Sequence, residues 1–175
     1  MIKLDLSMSE DKIIEILEEK GIFGLRAQRS IGVGEFKIRI PDDVGELDFI
    51  GISHLDESLV VLECKMVKWG STPKDYYDDR VDFLDGSKSY DSQIKNKVEW
   101  VKNNYELIFK ALCSIGPSVK TKTAPTKVQY GIITYYPTPI SLYLNEYPCV
   151  AFGRFFEDWD KAGKWPYPNG IVQVN

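Results

Sequence analysis

The sequence predicts an α/β domain in which helices and strands alternate along one chain. Two amphipathic helical patterns, at residues 9–20 and 89–112, lie on either side of an apolar strand pair at residues 46–67. A strongly β-forming run, KVQYGIITYY at residues 127–136, follows the second helical pattern. This order of helix, two or three strands, helix and strand is typical of the α/β class.

The first helix is predicted from an apolar stripe with helical spacing. The stripe consists of four aliphatic residues, Ile13, Ile14, Ile16 and Leu17. Ser9 is a suitable N-cap and Gly21 a suitable C-cap for this helix. Residues 23–27 and 35–40 are then expected to be extended, and a PDD turn follows them.

The strand pair after this turn carries the charged residues on which the functional interpretation depends. Asp48 lies on its first strand, and Glu63 and Lys65 lie on the second, two positions apart and therefore on one face. If the turn is centred at residues 55–56, paired residue numbers sum to 111. Asp48 then lies opposite Glu63, and Glu46 lies opposite Lys65, whereas a slip by one residue would move Asp48 to the other face.

Neighbouring carboxylates within an apolar strand pair need a compensating charge. Charged side chains are rarely buried unless they are paired or bind a metal ion. A hard divalent cation such as Mg²⁺, with a phosphate beside it, would supply that charge. The alternative is a cross-strand salt-bridge set in which Lys65 pairs with Glu46 or Asp48, and the spacing alone leaves both interpretations open.

The second half of the chain is predicted to contain a long helix, a strand and an aromatic tail. The helix has six apolar residues at spacings of four and three, namely Ile94, Val98, Val101, Tyr105, Ile108 and Leu112. The aspartate-rich connection before it, residues 69–89, is expected to be solvated and mobile, with short helical turns. The tail, residues 137–175, is expected to form either a packed cap or a docking surface for a partner.

Composition limits the classes of function. A chain of 175 residues is most simply a single domain, residues 1–175, and it has no apolar run of membrane-spanning length. Its cysteines, Cys64, Cys113 and Cys149, form no zinc-binding pair and indicate a reducing, cytoplasmic compartment. The net charge of −4 argues against a general nucleic-acid coat protein but permits a local basic groove.

In this order, the elements and charged residues resemble the PD-(D/E)xK nuclease superfamily, the restriction-endonuclease-like fold. The motif is carried by Asp48 and by Glu63, Cys64 and Lys65 on the next strand, although the proline that names the family is absent. The first helix is similar to that of archaeal Holliday-junction resolvases and has Glu10 near its start. The resemblance covers about residues 9–136, and residues 137–175 form a C-terminal extension.

The resemblance implies an αβββαβ core, with a mixed central sheet flanked by helices, and a metal-dependent nuclease activity. Mg²⁺ or Mn²⁺ would be held by Asp48, Glu63 and the backbone carbonyl of Cys64, with Glu10 binding directly or through water. Lys65 would position the attacking water and offset charge on the phosphate. A glutamine on the following helix, Gln93, would orient Lys65 or the water.

The expected substrate is DNA, and RNA is not excluded. Arg26, Lys95 and Lys97 are candidates for phosphate contacts, and the alternative for the two lysines is a solvated helix face. The expected function is a nuclease in repair, recombination or defence against foreign DNA. The first alternative is a non-catalytic member of the same fold that binds or assembles within a larger complex. A homodimer or larger complex would form through the aromatic tail, and a third interpretation is an ordinary α/β domain with a salt-bridged hairpin.

Overall fold

The computed structural model describes residues 6–67, 69–70, 72–116 and 124–174, with side chains from residue 11 onward. In these ranges there are five α-helices: α1 (Leu6–Glu19), α2 (Pro73–Leu84), α3 (Tyr90–Asn103), α4 (Tyr105–Ile115) and α5 (Phe152–Ala162). The strands are β1 (Ile22–Ala27), β2 (Ser30–Ile31), β3 (Ile38–Arg39), β4 (Leu47–Ser53), β5 (Ser58–Lys65), β6 (Lys127–Thr134), β7 (Cys149–Ala151) and β8 (Ile171–Gln173). Within the same ranges, no helix is long and apolar enough to cross a lipid bilayer.

The central sheet is six-stranded and mixed. Its order is β1-β4-β5-β6-β7, and β8 pairs with the remaining part of the β6 edge. The β1–β4 and β4–β5 pairs are antiparallel, whereas β5–β6 and β6–β7 are parallel. A separate two-stranded hairpin is formed by β2 and β3. The predicted α/β class, with a mixed sheet flanked by helices, is confirmed, and α1, β1, β4, β5, α3 and β6 follow the predicted core order.

The register predicted for the β4–β5 hairpin is also confirmed. Ile50 pairs with Val61 and Ile52 with Leu59, so paired residue numbers sum to 111. The regular ladder extends from the turn to the pair Phe49–Leu62. Regular pairing of β4 with β5 ends there. The next two residues, Asp48 and Glu63, are close enough for the charge of Glu63 to act on Asp48.

Helices cover both faces of the sheet and create two hydrophobic cores. On one face, Ile50, Ile52, Leu59 and Val61 pack with apolar residues of α2, α3 and α4. On the other face, Phe49, Val60 and Leu62 pack with residues of α1 and α5. Alternation along β5 therefore assigns Glu63 and Lys65 to the face that α3 covers. Asp48 lies close to them, because the charges of Glu63, Lys65 and Lys97 all act on its carboxyl group.

The aromatic tail contributes to both of these cores. Four of its rings, Phe155, Phe156, Trp159 and Trp165, are buried in the second core, and Tyr147 is buried in the first. The tail also supplies β7 and β8 to the sheet. These five rings are packed inside the protein, as the cap alternative predicted, and a docking surface for a partner on the rest of the tail stays a prediction.

Two predictions about helices were also wrong. The single helix at residues 89–112 is divided into α3 and α4 at Asn104, whose backbone has left the helical region at φ −122° and ψ 17°. The connection expected to be mobile contains α2, which is fixed by the fully buried ring of Phe83. Thr72 and Asp75 form a capping box with Pro73 at the first helical position, a signal that the sequence does contain.

The first helix differs from its prediction at one end. It begins at Leu6 and not after Ser9, whereas Gly21, with φ 80°, follows its end as predicted.

One glycine on β1 and one on β4 form a pair in the sheet. Gly24 and Gly51 face each other across the ladder, and the ring of Phe49 lies against both. A Cβ atom on Gly51 would lie 2.6 Å from the backbone oxygen of Phe23 and 2.8 Å from the Phe49 ring. The ring and the backbone therefore occupy the space that any side chain at Gly51 would need.

Gly51→Ala is expected to lower the free energy of unfolding by about 2–3 kcal/mol, because the new methyl group displaces packed backbone and an aromatic ring. Urea denaturation followed by circular dichroism measures the change. Gly153→Ala is the matched control, because a Cβ atom there meets nothing within 4 Å and alanine favours the helix. Equal stability of Gly51→Ala and wild type would contradict the close packing of Phe23 and Phe49 around Gly51.

Candidate active site

Five polar side chains meet where β4 begins and β5 ends. Asp48 is the second residue of β4, and Glu63 and Lys65 are close to the end of β5. Gln93 and Lys97 lie one turn apart on α3, which crosses this face of the sheet. The structure thus brings together Asp48, Glu63, Lys65 and Gln93, as the sequence predicted, and adds Lys97.

Glu63 is the centre of this group. Its side chain is 2% exposed, and each of its two carboxylate oxygens accepts a hydrogen bond from a different lysine. Lys65 Nζ lies 2.6 Å from Oε1, and Lys97 Nζ lies 2.5 Å from Oε2. Charge-assisted bonds of this length are among the strong hydrogen bonds of proteins, so the Glu63 carboxylate is held in one orientation.

Lys65 is oriented by three groups. Besides Glu63, its ammonium lies 3.5 Å from Gln93 Oε1 and 4.7 Å from the centre of the Tyr90 ring. Burial alone would lower the pKa of Lys65, but attraction to Glu63, the hydrogen bond to it and the charge of Asp48 together raise that pKa above its usual value. Lys65 is therefore a fixed cation and cannot act as a general base near neutral pH.

Asp48 occupies the end of the β4–β5 ladder. Its Oδ2 accepts the backbone N–H of Cys64 at 2.8 Å, where a backbone carbonyl would otherwise be the acceptor. Burial, and then repulsion by Glu63, raise the pKa of Asp48 from 3.8 to about 6. The Cys64 N–H and the charges of Lys65 and Lys97 oppose this rise. Asp48 is consequently ionised at neutral pH at a cost in free energy, as expected for a carboxylate placed beside another carboxylate.

The remaining predicted site residues are placed differently. Glu46 does not pair with Lys65, because it forms an ion pair with Arg26 on β1. Lys95 is held by Asp91 and Glu146, each at 3.1 Å. Glu10 belongs to α1, but its side chain lies outside the described residues. The role predicted for the Cys64 carbonyl stays a prediction.

Lys97 differs most from its prediction. It was expected to contact phosphate or to lie on a solvated face, but it is 4% exposed and bound to Glu63. A phosphate contact in this state is excluded because the ammonium is enclosed. The position does carry a sequence signal, since Lys97 lies three residues after Ile94 and four before Val101, both in the buried stripe of α3. A lysine in such a stripe implies a buried carboxylate partner.

Two further features around Lys65 were not predicted. Thr134 on β6 pairs with Lys65 in register, is 1% exposed, and its hydroxyl finds no hydrogen-bond partner among the described residues. On the other side, a cavity of about 80 Å³ lies between α2 and the end of β5. Its lining combines apolar residues and Tyr90 with four carboxylates, Asp75, Asp78, Asp79 and Asp82. The ring of Tyr90, over which the Lys65 ammonium lies, thus forms part of the wall of an acidic cleft.

The donor set can be tested for its fit to a divalent cation. In the described part of the chain, which lacks the Glu10 side chain, no group of three or more His, Cys, Asp or Glu side chains is arranged to hold a metal ion. Asp48 and Glu63 nevertheless provide two neighbouring carboxylates, of which Glu63 is buried and Asp48 is partly buried. Mg²⁺ is commonly bound through one or two carboxylates while it keeps several waters. The residues fit such a partly hydrated Mg²⁺ or Mn²⁺, and they do not form a complete protein cage.

Comparisons with protein-family models, with curated proteins and with solved structures found no match to this chain. A function can therefore be inferred only from the chain's own residues. Asp48, Glu63 and Lys65 lie together at one end of the β4–β5 hairpin, and Gln93 lies within reach of the lysine.

Asp48→Asn is expected to remove one pH-dependent contribution to the free energy of unfolding. Because the folded state holds a proton on Asp48 up to about pH 6, the Asp48 carboxyl lowers the stability of the wild type relative to the variant as pH rises through the window between 3.8 and about 6. The difference between variant and wild type should grow by about 3 kcal/mol from about pH 4 to about pH 7, since two pKa units correspond to that amount. Urea denaturation in EDTA at several pH values measures it.

Asparagine at this position can still accept the Cys64 N–H, so the ladder end is preserved in the variant. Asp85→Asn, at an exposed aspartate, serves as the control for the loss of one negative charge. A pH-independent difference between Asp48→Asn and wild type would contradict the raised pKa of Asp48.

Proposed function

We propose that this chain is a cytoplasmic, Mg²⁺- or Mn²⁺-dependent nuclease that hydrolyses phosphodiester bonds in DNA. The observation that carries the proposal is the grouping of Asp48, Glu63 and Lys65 at one end of the β4–β5 hairpin, with Gln93 beside Lys65. This grouping resembles the Asp and Glu-x-Lys parts of the PD-(D/E)xK motif, without its proline. Repair, recombination or defence against foreign DNA is the corresponding biological role.

Each residue of the group has a definable part in such a reaction. Asp48 and Glu63 would hold the divalent cation, which supplies Lewis acidity and a more acidic bound water. Lys65 keeps its proton and is aimed by Glu63 and Gln93, so it can neutralise charge on a phosphoryl oxygen or fix the attacking water. Because these donors are held before substrate arrives, little reorganisation is needed during the reaction.

A basic concave surface beside the site supports a polyanionic substrate. It is lined by polar and cationic residues from the end of β1 and from the β2–β3 hairpin, namely Arg26, Gln28, Arg29, Ser30, Lys37 and Arg39, together with Asp42. Among the described residues, ion pairs involve Arg26 and Arg39 but neither Arg29 nor Lys37. Arg26 is joined through Glu46 to the start of β4, which places this surface next to Asp48. Exposed arginines and lysines of this kind contact phosphate backbones.

A non-catalytic binding module is the second candidate, and one observation favours it. Lys65 and Lys97 already neutralise Asp48 and Glu63, so the group has no excess negative charge that requires a metal ion. In such a module the four side chains would be structural, and the basic surface alone would bind nucleic acid. The two candidates differ in whether the wild type cleaves its substrate.

Wild-type protein is expected to cleave DNA in Mg²⁺ or Mn²⁺, and Asp48→Asn is expected to lower the rate by about a hundredfold or more, because a bound metal ion contributes several kcal/mol to catalysis. The assay uses labelled duplex, single-stranded and branched DNA and a labelled RNA. Asp85→Asn should retain the wild-type rate. If none of the four substrates is cleaved with either metal ion, the binding module is favoured. If Asp48→Asn cleaves as fast as wild type, Asp48 is not part of the catalytic site.

Reversing charge on the basic surface is expected to weaken nucleic-acid binding. The double variant Arg29→Glu, Lys37→Glu should bind labelled DNA at least about tenfold more weakly than wild type. The slope of log K against log salt concentration should become smaller in magnitude by about two. Fluorescence anisotropy in EDTA measures binding without cleavage.

The matched control is Lys161→Glu, Lys164→Glu, which makes the same charge change at exposed positions in and just after α5, on the opposite face of the sheet. An equal loss of affinity in the two double variants would show that net charge, and not this surface, governs binding.

A further inference from the structure

Glu63 has an ammonium group at each of its carboxylate oxygens. Lys97 Nζ lies 2.5 Å from Oε2 and Lys65 Nζ lies 2.6 Å from Oε1. The Lys97 side chain is 5% exposed, and its carboxylate partner is 2% exposed. Lys97 therefore cannot be a solvent-facing residue that happens to lie near the site.

The buried charges of the site sum to zero. Asp48 and Glu63 contribute two negative charges when ionised, and Lys65 and Lys97 contribute two positive charges. Buried charges are tolerated when they are paired in this way. If either lysine were removed, the three remaining groups would carry a net charge of −1. A net negative charge of this kind would attract a divalent cation.

Lys97 and a divalent cation would compete for the same carboxylate. A cation bound through Glu63 would lie close to the Lys97 ammonium and would be repelled by it. It would also leave two excess positive charges at the site. A phosphodiester brings one negative charge and oxygen ligands, so it would halve the excess charge and help to hold the cation.

We infer that Lys97 acts as a resident counter-cation of Glu63, so that the protein takes up a divalent cation together with a phosphodiester and only weakly without one. Lys97 is then a positioning residue that holds Glu63 in place until substrate and metal ion arrive together. This inference rests on the proposed function, because it concerns the metal ion and the substrate of the same site. It assigns a role to a residue that the nuclease motif leaves out.

The test measures Mn²⁺ binding by isothermal titration calorimetry without nucleic acid. Lys97→Met, which removes the charge and keeps the apolar length, is expected to bind Mn²⁺ at least about tenfold more tightly than wild type. Lys97→Arg keeps the charge and should bind as weakly as wild type. Lys95→Met removes an exposed lysine two positions away and should also match wild type. Equal or weaker Mn²⁺ binding by a folded Lys97→Met protein would overturn the inference.

A second measurement needs no variant and covers the case in which Lys97→Met fails to fold. Mn²⁺ binding to the wild type is compared with and without a saturating phosphorothioate-linked DNA duplex. The inference requires affinity for Mn²⁺ to rise by about tenfold or more with DNA, and DNA affinity to rise by the same factor with Mn²⁺. Unchanged affinity would overturn it.

Failure of the inference and failure of the nuclease proposal give different results. Metal-dependent cleavage by a wild type that binds Mn²⁺ equally well with and without DNA would retain the nuclease and reject the role of Lys97. Coupled binding of Mn²⁺ and DNA, without cleavage of any polynucleotide, would retain the role of Lys97 and reject the nuclease.

Discussion

The pairing of one buried carboxylate with two lysines constrains much of this structure. Glu63 lies on a strand covered on both faces, so it must be neutralised by groups that approach from α3 and from its own strand. Lys97 provides this from α3, and Gln93 lies one turn earlier on the same side. These contacts determine which side of α3 faces the sheet, and they agree with the packing of Ile94, Val98 and Val101 into the same core.

The charged group lies at the end of an otherwise apolar face. Toward the hairpin turn this face carries aliphatic pairs, whereas at the other end the ladder stops and Asp48 accepts a backbone N–H. There the Asp48 side chain satisfies the backbone N–H of Cys64 in place of a β4 carbonyl, while β5 stays paired with β6 as far as Lys65. Removing water from four ionised groups is costly, and apolar residues of similar volume are often at least as stable in such positions. The arrangement therefore argues for a role beyond stability.

The sequence was informative where the rules are local and failed where tertiary contacts decide. The two-residue period and a short turn determined the β4–β5 register, and with it the neighbours Asp48, Glu63 and Lys65. The burial of Lys97 is indicated by its spacing from Ile94 and Val101, but its partner Glu63 lies on another element, and that pairing could not be predicted from the helix alone. The apolar stripe continued through Asn104 although the backbone did not. The short strands β7 and β8 are stabilised by pairing with β6. Their own residues give little sequence signal for this pairing.

The way in which β7 and β8 share one side of β6 has a consequence for self-association. The two strands are three residues long and run in opposite directions, one along each half of β6. A neighbouring molecule that approached this side of the sheet would meet short, interrupted rows of N–H and C=O groups pointing along differing directions. Long, regular edges are what promote strand addition and aggregation between copies of a protein. The C-terminal region thus disfavours strand addition at this edge of the sheet, and the same region supplies α5 to the second core.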